Sequence, residues 1–256
     1  MMMKSILPFP TRFGSMIFAL AVLAYTTGCE TCSISNSGYR ARSYGGNSMY
    51  RGELSDFDVL GVDRDQAISD SDIAKALDAA GHVKLRRGDA VVLIQSGAMF
   101  PDAPMAEELG RFLSVVPFTG VPNNPRTGGG SGNEPARASY SKSLRLVAAR
   151  GGCQTIICYW GVLESAREEV AGKTLSWVPI VGSAVPDERQ HMRIRLKFAV
   201  LDVRTGNWSI LTPDPFEQKA VSAKLIRESS DQRQVEALKR KAYEAAAKDL
   251  LRAYVN

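Results

Sequence analysis

Residues 193–203 constrain the fold most, because apolar and basic side chains alternate along them. A period of two places the apolar side chains on one face of a β-strand and the charged ones on the other. Such a strand belongs to a sheet with one buried and one solvated face. The turn sequence Arg204-Thr-Gly-Asn207 then predicts a hairpin to a strand at 208–211. The apolar set is Ile194, Leu196, Phe198 and Val200, and the basic set is Arg193, Arg195 and Lys197.

Amphipathic helix patterns alternate with short apolar runs along the rest of the chain. The order is three helix–strand units, an antiparallel run and a final helix, which predicts an α/β domain with a mixed sheet and helices packed on it. Helices are predicted at 70–80, from 103, at 139–150 and at 230–254, and strands at 90–94, 113–118, 155–163 and 173–181.

The first 28 residues have the pattern of a secretory signal. Lys4 and Arg12 are their only charges, and an apolar run of roughly 11 residues follows, too short for the ~20 that span a bilayer. The sequence before Cys29 resembles the lipobox of bacterial lipoproteins, which implies cleavage between Gly28 and Cys29 and acylation of Cys29. Glu30 follows instead of the Asp that marks inner-membrane retention, so the resemblance implies the outer membrane. A short buried helix and secretion without lipid remain alternatives.

Three regions follow from composition. Residues 1–28 are the signal peptide, residues 29–52 are a flexible tether rich in Ser, Gly and Asn, and residues 53–256 form one α/β periplasmic domain. Pro and Gly over 121–138 predict a flexible loop inside that domain. The loop is not a phosphate-binding motif, because no Gly-Lys-Ser/Thr follows its glycines.

Composition also argues against several kinds of partner. A formal charge of +5, without a concentrated basic face, argues against nucleic-acid binding. Two His and four Cys suggest neither a metal site nor a cofactor. Cys153 and Cys158 are predicted to be buried free thiols. Four aspartates near Gly61 lack the spacing of a calcium loop and predict a solvated turn: Asp56, Asp58, Asp63 and Asp65.

Ser96 is the one candidate nucleophile, because it follows a buried strand as in a nucleophile elbow. Ile94 stands where that motif has Gly, and the base would have to be His82 or His191. A periplasmic serine hydrolase is therefore an alternative only, and we expect no enzymatic activity. Paired carboxylates for glycoside hydrolysis stay open, since their separation in space is not readable from sequence.

Two stretches carry a family resemblance. One is Ala148-Ala-Arg-Gly-Gly-Cys153 with the strand ending Trp160-Gly-Val-Leu-Glu164, and the other runs from Met192 to Trp208. Over about residues 85–253 they resemble the periplasmic α/β domain shared by curli-secretion channel lipoproteins (CsgG), lipoprotein activators of peptidoglycan synthases and the N-terminal domain of TolB. The resemblance implies an envelope protein that catalyses nothing and binds partners or assembles into a ring. The predicted lipid anchor agrees with it independently.

Residues 164–187 join two strands and contain the apolar sequence Trp177-Val-Pro-Ile-Val181. Our hypothesis is a partner-binding edge or hairpin with Trp177, Val178 and Ile180 as the contact residues. An ordinary extension of the sheet is one alternative. The other is a membrane hairpin of an oligomeric outer-membrane secretion channel, which the charges and prolines of this stretch fit badly.

Overall fold

The alternating strand predicted at 193–203 lies inside a mixed sheet. In the computed structural model it is part of β5 (Gln190–Asp202), which pairs antiparallel with β3 (Thr155–Glu168) along nearly their whole length. The structure describes residues 33–35, 50, 52–61, 67–122, 138–168, 175–179, 190–220 and 227–255.

The remaining elements follow the predicted order, with two short additions, α1 and β7. Helices are α1 (Asp56–Leu60), α2 (Asp70–Asp78), α3 (Ala103–Gly110), α4 (Ala138–Arg150) and α5 (Arg227–Tyr254). Further strands are β1 (Ala90–Gln95), β2 (Ser114–Phe118), β4 (Leu175–Pro179), β6 (Trp208–Leu211) and β7 (Phe216–Ala220).

The sheet combines a parallel and an antiparallel part. Its order is β2-β1-β3-β5-β6, with β1 parallel to β2 and β3, and with β5 antiparallel to β3 and β6. β3 and β5 extend beyond the end of β1, where β4 pairs with β3 and β7 with β5. The predicted fold class, an α/β domain with a mixed sheet and packed helices, is confirmed.

Apolar side chains cover both faces of the sheet. The apolar set of β5 is buried beneath α3 and α5, as the alternation predicts, whereas α1 and α4 cover the opposite face. The basic set of β5 lies on that second face, where Lys197 Nζ donates to Asp56 of α1 at 2.6 Å. There Arg193 Nε and Arg195 Nη2 donate to the buried carboxylate of Glu164 at 2.5 and 2.6 Å.

Two short elements were not predicted from sequence. α1 replaces the predicted turn at Asp56 and Asp58, and a capping box between Ser55 and Asp58 starts it. β7 has no apolar alternation of its own and forms by pairing with β5. α2 is present as predicted, but Leu77 on its apolar face is 71% exposed.

Several predictions fall outside the described residues. They are the signal peptide 1–28 with Gly28 and Cys29, the residue Ile180, most of the tether 29–52 and most of the loop 121–138. Ser33–Ser35, within the segment predicted as tether, lie buried in the domain. Within the described ranges, no helix is both long enough and apolar enough to cross a bilayer.

Candidate functional site

The carboxyl end of β1 is the point at which the chain reverses its course across the sheet. From β1 the chain passes through α3 to β2 on one side, and then through α4 to β3 on the other side. The two helices pack on opposite faces of the sheet. Open α/β sheets bind ligands in the crevice that such a reversal leaves beyond the strand ends. We call this place the β1 crevice; its polar residues are Ser33, Ser35, Glu53, Gln95, Ser96, Asp102, Tyr159, Lys239 and Tyr243.

A short piece of the chain itself fills the β1 crevice. β3 pairs along the same edge with β1 through Tyr159 and with β4 from Glu164, which leaves a gap between them. Ser33–Ser35, here called the strap, lies in this gap. Ser33 forms a bridge with Val162, and the Ile34 N–H donates to the Gly161 carbonyl at 3.0 Å. The strap thus continues the sheet at a place where none of the described strands pairs with this edge of β3.

Gly161 makes room for the strap. A Cβ atom there would lie 2.6 Å from Ile34 Cδ1 and 2.8 Å from Leu196 Cδ2. Ile34 is 1% exposed and belongs to the core beneath α5. An isolated glycine inside an apolar strand is a signal of close approach. This signal is visible in the sequence but does not identify what approaches.

Asp102, Lys239 and Tyr243 hold the strap against α5, and we call these three residues the α5 clamp. Lys239 Nζ donates to the Ile34 carbonyl at 2.8 Å and to Asp102 Oδ2 at 3.1 Å. The Tyr243 hydroxyl donates to the same Asp102 oxygen at 2.5 Å. Burial, and then the neighbouring Tyr159 and Asp102, raise the pKa of Tyr243 well above its usual value. One carboxylate oxygen of Asp102 thus accepts from two side chains of α5, and one of these, Lys239, also binds the strap.

Gln95 connects the strap to the strand ends. Its Nε2 donates to Ser35 Oγ at 3.0 Å, and its Oε1 accepts the Tyr159 hydroxyl at 2.5 Å and the Asp102 N–H at 2.7 Å. Ser35 Oγ in turn donates to the Ser96 carbonyl at 2.5 Å. A buried side-chain amide needs partners for both of its ends. Gln95 has them, so the inner part of the crevice is a satisfied polar network.

Glu53 is the exception in this network. Its Oε1 accepts hydrogen bonds from Ser33 and Tyr50, but its Oε2 is buried without a hydrogen-bond partner among the described residues. Burial raises the pKa of Glu53 above its usual value, and this effect outweighs the polar side chains of Ser33, Ser96 and Tyr50 nearby, which lower the pKa. The folded state therefore disfavours the charged form of Glu53.

The geometry does not equip Ser96 as a nucleophile. Ser96 is 1% exposed, and its Oγ accepts the Leu54 N–H at 2.8 Å. His82 lines a different cavity, of about 380 Å³, together with Ser209 and Tyr254. The side chain of His191 is outside the described part of the chain. A serine that is enclosed by protein on every side presents no oxygen to a substrate.

A family model described as YafT bacterial lipoprotein matches residues 55–253. The chain belongs to this lipoprotein family. The match covers nearly all of the domain that follows the strap, from α1 to the last turn of α5. Among curated proteins, none matches the sequence. The resemblance to the CsgG and TolB domains therefore stays a prediction.

For this member of the YafT family, two of the predicted partner-binding residues are described, and Ile180 lies outside the described residues. Trp177 and Val178 are on β4, where they pair with Ala166 and Ser165 of β3. β4 pairs with no second strand among those described. The two thiols predicted to be free and buried, Cys153 and Cys158, are both so. No group of three or more potential metal ligands occurs within the residues described.

We expect Glu53→Gln to remove a pH-dependent loss of stability from the YafT-family domain. Because the pKa of Glu53 is raised in the folded state, its contribution to the free energy of unfolding is most favourable at acid pH. That contribution falls as the pH rises from the ordinary carboxyl pKa of 4.5 through the raised pKa of the folded state. In urea unfolding from pH 5 to pH 8, the free energy of unfolding of Glu53→Gln should therefore increase relative to that of the wild type. Glu107 is exposed, so the stability of Glu107→Gln should depend on pH as that of the wild type does. If the stability of Glu53→Gln also follows the wild type at every pH, the raised pKa of Glu53 is wrong.

Proposed function

We propose that this lipoprotein is anchored in the cell envelope by acyl chains on Cys29, after cleavage between Gly28 and Cys29, and that it holds a protein partner there without catalysing a reaction. Membership of a bacterial lipoprotein family supports the anchor. Two or more acyl chains make such an anchor stable, at ~0.8 kcal/mol for each buried CH₂ group. Glu30 after the lipidated residue favours the outer membrane, with the domain facing the periplasm.

The absence of catalysis is supported by the β1 crevice itself. In α/β sheets the reversal point is where a substrate would bind. Here the strap occupies the reversal point. Gln95 and the α5 clamp form hydrogen bonds with the strap and within the clamp itself. A non-enzymatic role uses the outer surfaces of the domain instead.

One observation carries the proposed partner site: among the described strands, β4 pairs with β3 alone. None of those strands occupies its second edge, and the proposal places an additional strand there. An extended segment of another protein adds to such an edge through main-chain hydrogen bonds, and alternate side chains then give specificity. The apolar sequence Trp177-Val178 supplies these side chains, and Ile180 follows them.

Photo-crosslinking in the cell envelope tests this proposal. We expect a benzophenone amino acid at Trp177 to form an adduct with a discrete envelope protein after irradiation. The matched control places the same amino acid at Ile210 on β6, an exposed apolar position on the opposite edge of the sheet. An adduct at 177 and none at 210 would support the β4 site.

Other outcomes separate the alternatives. Adducts with a second copy of the chain would favour the oligomeric secretion channel over a partner-binding protein. Equal adducts at 177 and 210, or none at 177, would contradict the β4 site. A variant with Cys29→Ala that still sediments with membranes after a carbonate wash would contradict the lipid anchor.

A further inference from the structure

We propose that the loop Gly97–Pro101 rests on the lipid bilayer, with Met99 and Phe100 inserted at the level of the headgroups. This inference rests on the proposed acylation of Cys29 and adds to it a fixed orientation of the domain. A lipoprotein on a long tether would present any of its faces to the membrane. The strap removes most of that freedom here.

The first argument is the length of chain before the strap. Ser33 is bonded to the sheet and is four residues after Cys29. Four residues reach at most ~14 Å even when fully extended. Since the acyl chains of Cys29 must lie inside the bilayer, Ser33 is held within about that distance of its surface. The β1 crevice, where Ser33 is bound, therefore lies next to the membrane.

The second argument is an exposed apolar pair beside the crevice. Phe100 is 69% exposed and Met99 is 44% exposed, although Ser96 before them and Pro101 after them are buried. The loop is short and held at both ends: the Gly97 N–H donates to the Gly120 carbonyl at 2.9 Å, and Asp102 belongs to the α5 clamp. Aromatic and apolar side chains presented in this way are typical of interfacial contacts with lipid.

The third argument is that this loop and the strap share one end of the domain. Ser35 Oγ donates to the Ser96 carbonyl, immediately before the loop, and Lys239 joins Ile34 to Asp102, immediately after it. A bilayer within reach of the strap is thus also within reach of Phe100. The acyl chains and the loop then form two separate contacts with the same surface.

The opposite end of the domain supplies a matched control. Leu77 on α2 is 71% exposed, as apolar as Phe100 and equally accessible. Asn207 Nδ2 donates to the Ala79 carbonyl and so holds the end of α2 at the turn after β5. β5 ends at Asp202, which pairs with Thr155, the first residue of β3. Leu77 is therefore at the amino ends of the parallel strands, and Phe100 at their carboxyl ends.

Fluorescence quenching by lipid tests the orientation. The full-length acylated protein, purified in detergent, is placed in vesicles of phosphatidylethanolamine and phosphatidylglycerol. Phe100→Cys and Leu77→Cys are each labelled with a nitrobenzoxadiazole (NBD) group in a Cys32→Ser background. Cys153 and Cys158 stay unlabelled, because both are buried and burial raises the pKa of each thiol.

We expect lipids with a spin label near the headgroup to quench the emission at position 100 by about half, and the emission at position 77 hardly at all. Vesicle flotation of each labelled protein is measured in the same samples. Flotation without quenching at position 100 would overturn the membrane-facing loop while keeping the lipid anchor. Equal quenching at both positions would overturn the fixed orientation. Loss of flotation would instead contradict the proposed anchor on Cys29.

Discussion

Gly120→Ala is expected to destabilise the domain by about 4 kcal/mol or more, which is exceptional for the addition of one methyl group. A Cβ atom at this position would lie 1.9 Å from the carbonyl oxygen of Gln95 and 2.6 Å from its carbonyl carbon. These are backbone atoms at the end of a buried strand, so they cannot rotate away as the tip of a side chain does. Relief of the clash requires β1 and the chain after β2 to move apart.

The same movement would break contacts on which the crevice depends. The Gly120 N–H donates to the Ala98 carbonyl at 2.8 Å, and the Gly120 carbonyl accepts the Gly97 N–H at 2.9 Å. These bonds hold the first half of the loop Gly97–Pro101. Gly120→Ala should therefore loosen this loop as well as lower the free energy of unfolding.

Gly110→Ala is the matched control for that measurement. A Cβ atom at Gly110 would meet nothing within 4 Å, and Gly110 is the last residue of α3. Alanine is favoured over glycine in helices by up to ~1 kcal/mol, so this variant should be as stable as the wild type or slightly more stable. Urea unfolding followed by circular dichroism measures both variants. A Gly120→Ala variant within 1 kcal/mol of Gly110→Ala would show that the close contact is not rigid.

Much of the sheet could be predicted from sequence because its strands carry strong local patterns. The alternation at 193–203 fixes which face of β5 is buried, and the short apolar run 90–94 indicates a strand covered on both sides. α1 and β7 carry weaker patterns. α1 depends on a capping box in a short acidic stretch, and β7 depends on its pairing partner.

The β1 crevice could not be predicted, because its parts come from distant places in the chain. Ser33–Ser35 lie in a stretch whose composition is that of a tether, and only the gap beside β3 gives them a partner. Gln95 and Gly161 are polar or small residues in apolar strands, so each signals that something is contacted there. Neither signal says that the contact is the chain's own N-terminal part. The partner is set by tertiary packing.

Asp102 shows how a correct local prediction can miss a residue's role. The sequence predicts it as the N-cap of a helix with Pro104 in the first turn, and it does precede α3. Its carboxylate makes no capping hydrogen bond, however. It accepts instead from Lys239 and Tyr243 on α5, more than 130 residues later in the chain. A residue type that suits a cap is used here to join two helices and the strap.

Asp102→Ala is therefore expected to cost about 3 kcal/mol, more than the loss of a helix cap would. The buried Tyr243 hydroxyl would lose its acceptor, and Lys239, 12% exposed, would keep the Ile34 carbonyl as its one remaining acceptor among the described residues. The figure lies at the lower end for a broken buried ion pair, because Asp102 is 23% exposed and water partly replaces it. Asp102→Asn keeps an acceptor for Tyr243 and should lose less.

Asp249→Ala provides the comparison, since Asp249 pairs with Arg252 at 3.2 Å on the solvent-exposed side of the same helix, α5. An exposed ion pair contributes at most ~1 kcal/mol, so this variant should unfold close to the wild type. A double-mutant cycle with Lys239→Met then isolates the pair: the two substitutions should be clearly non-additive, because either one already breaks the clamp. Hydrogen exchange at the Ile34 amide reports on the strap. If Asp102→Ala leaves both stability and this exchange unchanged, the α5 clamp does not hold the strap in place.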